Sequence, residues 1–410
     1  MKSYKSMDFL FICLMSWYSI RNLIFLFFQD FDIEIIHALI SVIVLFYIIN
    51  CYNVSKILTK NKYVICIWLF YLCMFVYHTR IEPVVSISLV KSMPPTRNLT
   101  LLFLNYIAIS SYAVANLKNL DRLLYGFMLF STFSSILLLA LVIIREGQSF
   151  LVTEALTVEG TGVTLITMSY NLVVSSVSAI YLIFKKDEKR NRLSSIVCLG
   201  ICLLAILIMG KRGALLSVIV AGTCLYLFAN KGIAKSFLYL GSIIIAYLVV
   251  SSMFDSLIGF LSLFNERLAY ETSLTYYYGD TNGRDTLWEM AIDQIGKNPI
   301  LGYYPKLINT SPNSWFFGLH PHNIFLESLM TMGIVGSVPF FLYLVYMIFS
   351  KVYFFVAAET PYRFFALLFI VELVHGCFSG TLYTSWIWPC LLVLSARNKY
   401  TVILKKWHSF

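Results

Sequence analysis

Residues 193–230 have the sequence LSSIVCLGICLLAILIMGKRGALLSVIVAGTCLYLFAN. The stretch contains two apolar runs, 193–209 and 213–230, separated by only a few residues that include Lys211 and Arg212. Each run is about as long as a helix needs to be to cross the hydrocarbon core of a bilayer. Both runs are continuous, so they lack the alternating pattern of a membrane β-strand. This stretch therefore predicts a helical hairpin inside a membrane.

The rest of the chain has the same character. Of 410 residues, 59% are hydrophobic and 13% are charged, and the mean hydropathy is +0.78. This composition excludes a water-soluble globular protein. Apolar runs predict spans near 8–28, 33–51, 63–79, 98–117, 123–144, 161–184, 193–209, 213–230, 236–255, 323–349, 363–380 and 382–396. The predicted fold class is all-α, a polytopic transmembrane helical bundle of about 12 spans.

The distribution of charge predicts the orientation of these spans. Lys185, Lys186, Lys189, Arg190 and Arg192 cluster between two spans, and the positive-inside rule places such a cluster in the cytoplasm. Both termini are then cytoplasmic, and most lysines and arginines fall on the same side. The net charge of +10 is thus mainly a topology signal, and we expect no nucleic-acid partner.

The pattern also predicts three regions along the chain. Residues 1–255 form an N-terminal transmembrane bundle of about nine spans. Residues 256–322 lack long apolar runs and form one large periplasmic loop. Residues 323–410 provide about three further spans and a cytoplasmic tail.

A short amphipathic helix is predicted inside the large loop. Thr286 and Glu289 have the spacing of a capping box. Apolar residues then recur at helical spacing, namely Leu287, Trp288, Ala291, Ile292 and Ile295. Arg284 lies just before this helix, where free N–H groups already favour an anion and a guanidinium adds two parallel donors for a phosphate. An alternative is a snorkelling or ion-paired surface arginine.

Three more cations lie at unusual positions. Lys211 and Arg212 lie at the outer tip of the hairpin, on the side where positive charge is disfavoured. A bound anion can compensate their positive charge. The alternative is pairing with lipid phosphate or with a carboxylate of the outer loop. Arg21 lies within a span, where an ionisable residue normally faces the bundle interior and has a partner. Asp30, Asp32 or Glu34 could be that partner.

The end of the large loop contains a candidate proton acceptor. His322 is predicted at the boundary between water and lipid, with Glu327 further into the next span. A neutral histidine can act as a general base, although an isolated interfacial histidine is more often structural. Zinc binding by His320 and His322 is disfavoured because no third ligand is close.

One short outer loop resembles a metal-binding pattern. Asp30 and Asp32 have the D-x-D spacing of metal-dependent glycosyltransferases, but they lie on the outer side, where nucleotide sugars are absent. We therefore expect no metal and no cofactor.

Three outer pieces, in this order, resemble the O-antigen ligase and polymerase family. They are Lys211-Arg212-Gly213-Ala214, then Gly283-Arg284 with Trp288 and Asn298-Pro299-Ile300-Leu301-Gly302, then His322-Asn323 with Leu326-Glu327. The resemblance covers residues 205–340. It departs at Lys211, where the family usually has a small residue.

The resemblance implies a metal-independent membrane glycosyltransferase whose donor is an oligosaccharide linked to undecaprenyl pyrophosphate. Arg212 and Arg284, with Lys211, would hold the pyrophosphate, and His322 would accept the proton of the attacking hydroxyl. Asn323, Glu327 and Arg21 are expected to support this site. The protein would lie in the bacterial inner membrane with its active site facing the periplasm.

Three functions remain open at this point. Abundant Ile, Lys, Asn, Tyr and Phe, a composition common in exchangeable polysaccharide loci, favours a polymerase of repeat units, with a chain-length regulator as a further partner. The alternative is a ligase that transfers finished polymer to lipid A-core. A flippase or transporter is disfavoured because few charged residues lie within the predicted spans.

Overall fold

A computed structural model describes residues 2–27, 33–51, 60–81, 96–146, 165–185, 189–229, 254–263, 266–278, 283–303, 320–358, 360–378, 382 and 385–396. Over these ranges the regular structure is helical and contains no strand. The α-helices are α1 (Lys2–Met15), α2 (Trp17–Phe27), α3 (Ile33–Cys51), α4 (Lys62–Ile81), α5 (Thr96–Ala115), α6 (Leu120–Glu146), α7 (Leu165–Ile183), α8 (Lys189–Ile208), α9 (Arg212–Ala229), α10 (Phe254–Ser262), α11 (Glu266–Tyr278), α12 (Arg284–Lys297), α13 (Ile324–Met347), α14 (Tyr353–Ala357), α15 (Tyr362–Phe378) and α16 (Ile387–Ser395). A 3₁₀ turn, Leu117–Asn119, precedes α6, and a π-helix, Ile348–Val352, continues α13. The prediction of an all-helical fold is confirmed.

Helices lie at every predicted span except 236–255, which falls almost entirely outside the described residues. In the described part of the chain, three helical stretches are long and apolar enough to cross a membrane: Leu120–Arg145, Asn191–Ile208 and Ile324–Ala357. Six shorter apolar helices accompany them. The chain is therefore an integral membrane protein.

The first predicted span, 8–28, is interrupted in the structure. Helix α1 ends at Met15 and α2 begins at Trp17, with a turn at Ser16. Ser16 O accepts hydrogen bonds from the N–H groups of Ser19 and Ile20 at 3.0 and 3.2 Å. The apolar run continues through this turn, so hydropathy alone predicts one helix where the backbone forms two.

The described chain divides into two compact units. The first unit consists of Met1–His37, Asn116–Asp280 and Phe355–Val371. Here α6 and α7 pack through hydroxyl groups: Thr132 Oγ1 and Ser175 Oγ lie 2.9 Å apart, and Ser178 Oγ donates to Leu124 O at 3.0 Å. Small hydroxyl-bearing residues allow helices to approach closely in a membrane, where apolar side chains gain little from one another.

The second unit consists of Ala38–Ala115, Thr281–Phe354 and Glu372–Phe410. Its core is aromatic and surrounds Trp388 of α16, which is buried. The ring centroid of Trp388 lies 4.4 Å from that of Trp68 in α4 and 5.5 Å from that of Phe340 in α13. These contacts join α4, α13 and α16 into the scaffold that carries the start of α13.

Helix α13 is broken at Gly333, which has φ 58° and ψ −166°. The break withdraws the N–H groups of Ile334 and Val335 from the usual carbonyls four residues earlier. They donate instead to Pro299 O at 2.8 Å and Ile300 O at 3.2 Å. The short segment after α12 thus replaces part of the hydrogen bonding of a membrane helix.

The carbonyls released by the break also have partners. Tyr303 N–H donates to Met330 O at 2.8 Å, and His78 Nε2 lies 3.2 Å from Thr331 O. A membrane protein tolerates non-helical backbone at depth only where protein or enclosed water satisfies it. All four groups released between residues 330 and 335 are satisfied by protein.

The predicted amphipathic helix of the large loop is present as α12, but its start was wrongly predicted. Helix α12 begins at Arg284, and its N-cap is Gly283 in a left-handed conformation without a side-chain cap. Thr286 therefore lies inside the first turn and forms no capping box. Ile292, predicted on the apolar face, is 60% exposed, whereas Leu287 and Ala291 are buried against Met330.

Candidate functional site

His322 has an unusual backbone at the start of α13. Its φ of 51° is the only positive value found for a non-glycine residue in the described part of the chain. A left-handed backbone is uncommon for residues other than glycine, although histidine is among those that adopt it more often. It persists where neighbouring contacts enforce it, and such residues cluster at functional sites. The side chain of His322 is partly exposed.

Contacts on both sides fix the backbone of His322. Before it, the buried Pro321 accepts a hydrogen bond at its carbonyl oxygen from Trp288 Nε1, at 3.0 Å. After it, Asn323 is the N-cap of α13, and its Oδ1 accepts from the N–H groups of Phe325 and Leu326 at 3.0 and 3.2 Å. The backbone on either side of His322 is therefore tied to a helix.

Asn323 also connects two helices. Its Nδ2 donates to Cys377 O in α15 at 3.4 Å. One amide side chain thus caps α13 and bonds to a carbonyl of α15, immediately after His322 in the chain.

Arg284 begins α12 and lies one helical turn from Trp288. Residues four apart on a helix share a face, with their Cβ atoms about 5–6 Å apart. Because the Trp288 indole bonds to Pro321, the start of α12 and the start of α13 lie in one region of the second unit. The buried cluster of Leu287, Ala291 and Met330 holds the two helices together.

Glu327 is fully buried, and both of its carboxylate oxygens are engaged. Oε1 accepts from Tyr71 Oη at 3.2 Å, and Oε2 accepts from the Leu382 N–H at 2.8 Å. A similar bond is made by Glu372, whose Oε2 accepts from the Trp386 N–H at 3.0 Å. Through these contacts Glu327 connects α13 to α4 and to the chain before α16. Any support that Glu327 gives to His322 therefore acts through the position of α13.

The other cations of the predicted site belong to the first unit. Lys211 and Arg212 are partly buried at the start of α9, where Lys211 O accepts the first helical bond from Leu215 N–H at 3.2 Å. Gly210, just before them, has φ 65°. Arg212 and Arg284 thus share a local arrangement, each being the first residue of a helix that closely follows a left-handed glycine. The positive end of the helix dipole at both helix starts favours a nearby anion.

Arg21 lies inside α2 and is partly buried. Two of its suggested partners, Asp30 and Asp32, lie outside the described residues, as does the side chain of Glu34. The described residues contain no group of three or more His, Cys, Asp or Glu side chains that could hold a metal ion. The D-x-D interpretation of Asp30 and Asp32 therefore stays untested.

Two features of the site were missed from the sequence. The bond from Trp288 to Pro321 joins residues 33 positions apart, and nothing in the local pattern indicates that pairing. The docking of Pro299–Tyr303 against α13 was also missed, although Gly302 and Gly333 gave a signal for it. A Cβ atom on Gly302 would lie 2.6 Å from Met330 O, and one on Gly333 would lie 2.2 Å from Ile300 O.

Comparison with models of known protein families gives a match. A family model described as O-antigen ligase matches residues 196–341. Comparison with curated proteins gives no match. The matched segment contains Lys211, Arg212, Arg284, His322, Asn323 and Glu327. The resemblance to the O-antigen ligase and polymerase family is thereby confirmed over this segment, which supports a membrane enzyme of the glycosyltransferase type.

Proposed function

From the match of residues 196–341 to the O-antigen ligase family, we propose that this protein polymerises surface polysaccharide. The donor is an oligosaccharide repeat unit linked to undecaprenyl pyrophosphate, and transfer takes place at the periplasmic face of the bacterial inner membrane. The observation that carries the mechanism is the left-handed backbone of His322, held between Trp288 and Asn323 with Arg284 one turn away from the tryptophan.

The leaving group explains the need for arginines. Displacement breaks the bond between the anomeric carbon and the pyrophosphate oxygen, and negative charge builds up on that oxygen. Guanidinium groups can stabilise this charge by paired hydrogen bonds without a metal ion. We assign this role to Arg212 and Arg284, and each begins a helix whose positive dipole end adds to the attraction. Lys211 adds a third positive charge beside Arg212.

The acceptor requires a base. The attacking sugar hydroxyl forms a bond to the anomeric carbon and transfers its proton to the His322 imidazole. A positioned general base typically contributes about 10²- to 10⁴-fold to such a step. The fixed backbone of His322 suits this role, because a base must be held within hydrogen-bonding distance of the proton it accepts.

The reaction can be tested with purified protein and lipid-linked repeat units. Because arginines stabilise the leaving group, we expect polymer to form in excess EDTA. We also expect Asp30→Asn and Asp32→Asn to be tolerated. Loss of turnover on chelation, restored by manganese or magnesium, would instead support the metal-dependent D-x-D interpretation.

The second candidate is a ligase that transfers finished polymer to lipid A-core, and the match to the O-antigen ligase family favours it. A deletion strain separates the two candidates. Loss of a polymerase leaves lipid A-core that carries a single repeat unit, provided that a separate ligase is active. Loss of a ligase leaves bare core and polymer stranded on the lipid carrier.

A further inference from the structure

A cavity of about 500 Å³ lies in the second unit at the far end of α13 from His322. Its lining comes from the start of α4, the end of α13 with the following π-helix, and the end of α16. The lining residues are Lys60, Tyr63, Tyr343, Tyr346, Met347, Lys351, Ser395 and Ala396. None of them belongs to the candidate site described above.

The position of the cavity places it at the opposite membrane surface. Helix α13 has 24 residues and is broken at Gly333, so a rise of 1.5 Å per residue gives an upper limit of roughly 36 Å for its length. That length is comparable to the hydrocarbon thickness of a bilayer. Since His322 precedes the start of α13 and Lys351 follows its end, the two lie near opposite faces. The topology predicted from charge makes the Lys351 face cytoplasmic.

The charged groups in the lining are both cations. Lys60 is exposed, whereas Lys351 is 8% exposed and belongs to the π-helix Ile348–Val352. Among the described residues that line the cavity there is no carboxylate, so the two lysines favour an anion. A π-helix within a longer helix is rare and is frequent at functional sites.

Hydroxyl groups also line the cavity. Tyr343 Oη and Ser395 Oγ lie 2.5 Å apart, and Ser395 Oγ donates to Leu391 O at 2.6 Å. Each hydroxyl has one proton, so the protons of Tyr343 and Ser395 serve these two contacts. The hydroxyl groups that can donate to a phosphate oxygen are those of Tyr63 and Tyr346, which also line the cavity. The cavity thus combines positive charge with hydrogen-bond donors.

Exposed apolar side chains lie next to the lining residues in the chain. Leu342, Val345 and Phe349 are neighbours of the lining residues on α13 and the π-helix, and they are 65%, 49% and 79% exposed. Exposed Tyr63 and Tyr346 suit the boundary between headgroups and acyl chains, where tyrosine is enriched. We propose that the cavity binds the phosphate-bearing headgroup of an anionic membrane phospholipid, with the acyl chains along this apolar surface.

The proposal can be tested on the full-length protein in detergent by native mass spectrometry. The probe is an equimolar mixture of phosphatidylglycerol and phosphatidylcholine with identical acyl chains. We expect wild-type protein to retain phosphatidylglycerol preferentially. Lys60→Gln should reduce that preference about fivefold, since a basic residue near an anionic headgroup contributes about that factor. Lys351→Met, which keeps side-chain length, should have an effect at least as large.

The control is Lys118→Gln, which removes an exposed lysine from the connection before α6. That connection is predicted on the same membrane face, so a general effect of surface charge would appear equally in this variant. Equal retention of the two lipids by wild type, or equal loss in Lys118→Gln and Lys60→Gln, would overturn the proposal. Since Lys60 is exposed, its variant tests the site even if Lys351→Met does not fold.

A further arm distinguishes lipid from free phosphate. Excess inorganic phosphate should leave the bound phosphatidylglycerol in place, because the acyl chains hold the headgroup at the cavity. Complete displacement by inorganic phosphate would assign the cavity to a free anion and overturn the lipid assignment. The outcome is independent of the glycosyl-transfer reaction, since the measurement requires no donor or acceptor sugar.

Discussion

Trp288 Nε1 donates a hydrogen bond to Pro321 O at 3.0 Å, which ties α12 to the residue immediately before His322. The indole ring also packs against the buried cluster of Leu287, Ala291 and Met330. One side chain therefore connects the helix that begins with Arg284 to the backbone that carries the proposed base.

The first prediction concerns this bond. Trp288→Phe keeps an aromatic ring but removes the donor, leaving the buried Pro321 carbonyl without this bond. We expect turnover to fall about fivefold to tenfold, because one hydrogen bond contributes about 1 kcal/mol. Donor binding should change little. Steady-state kinetics that separate kcat from KM would measure the effect.

The matched control for Trp288→Phe is Ile292→Ala, on the exposed side of the same helix. It should retain wild-type kinetics. If Trp288→Phe is as active as wild type at equal abundance, the hydrogen bond does not position His322.

The second prediction separates the imidazole of His322 from its backbone. Glycine and asparagine both tolerate a left-handed conformation, so His322→Gly and His322→Asn should fold while lacking a base. We expect turnover to fall about 10²- to 10⁴-fold with donor binding retained. The wild-type rate should also fall in acid, since only neutral imidazole accepts a proton.

His320→Ala is the neighbouring control and should have a mild effect, because His320 lies outside the His-Asn motif. Full turnover in stable His322 variants would falsify the assignment. So would a wild-type rate that shows no acid limb.

The third prediction concerns the geometry of Arg284. If it binds pyrophosphate through two parallel N–H donors, Arg284→Lys should fail nearly as badly as Arg284→Ala, because an ammonium cannot reproduce a planar fork. The measurement is polymer length and initial rate at equal membrane abundance. Wild-type polymer from the lysine variant would show that only positive charge matters there.

The fourth prediction compares the two adjacent cations of the first unit. Arg212→Ala should lose far more activity than Lys211→Ala, since a guanidinium matches a phosphate with two donors and an ammonium provides a point charge. The same polymer assay measures both variants. Equal losses would mean that the start of α9 contributes charge alone.

The fifth prediction tests the break in α13. Gly333→Ala places a Cβ atom 2.2 Å from Ile300 O on a backbone with φ +58°. We expect a loss of about 2 kcal/mol or more in stability, measured as a lower melting temperature in detergent. Gly296→Ala is the control: nothing lies within 4 Å of its added methyl group, and alanine is the better helix former.

The helices at the predicted spans were predictable because each corresponds to a continuous apolar run, and a membrane offers a run of that length few other structures. Helix α11, Glu266–Tyr278, was not predicted, because its sequence contains no such run. The interruptions at Ser16 and Gly333 were not predictable from hydropathy, because apolar residues continue on both sides of each. A break depends on which backbone groups find partners elsewhere. That is a property of the folded unit.

Part of the candidate site was likewise predictable from the sequence, and part of it was not. The sequence indicated that Arg284 could bind a negative charge and that His322 could accept a proton, because few types of side chain can do either. The left-handed backbone of His322 was not predictable, since it is imposed by Trp288, which is distant in the chain, and by the capping role of Asn323. The helix start at Arg284 was also missed, because Gly283 replaces the expected side-chain cap.

The order in which the chain is synthesised matters for the break in α13. Its substitute partners, His78 and the segment 299–303, all precede residues 330–335 in the chain. Synthesis proceeds from the N-terminus, so these partners exist before Gly333 leaves the ribosome. An unsatisfied backbone group costs several kcal/mol in lipid. A nascent chain with this order of segments can complete the broken helix as soon as it emerges, without waiting for any later part of the protein.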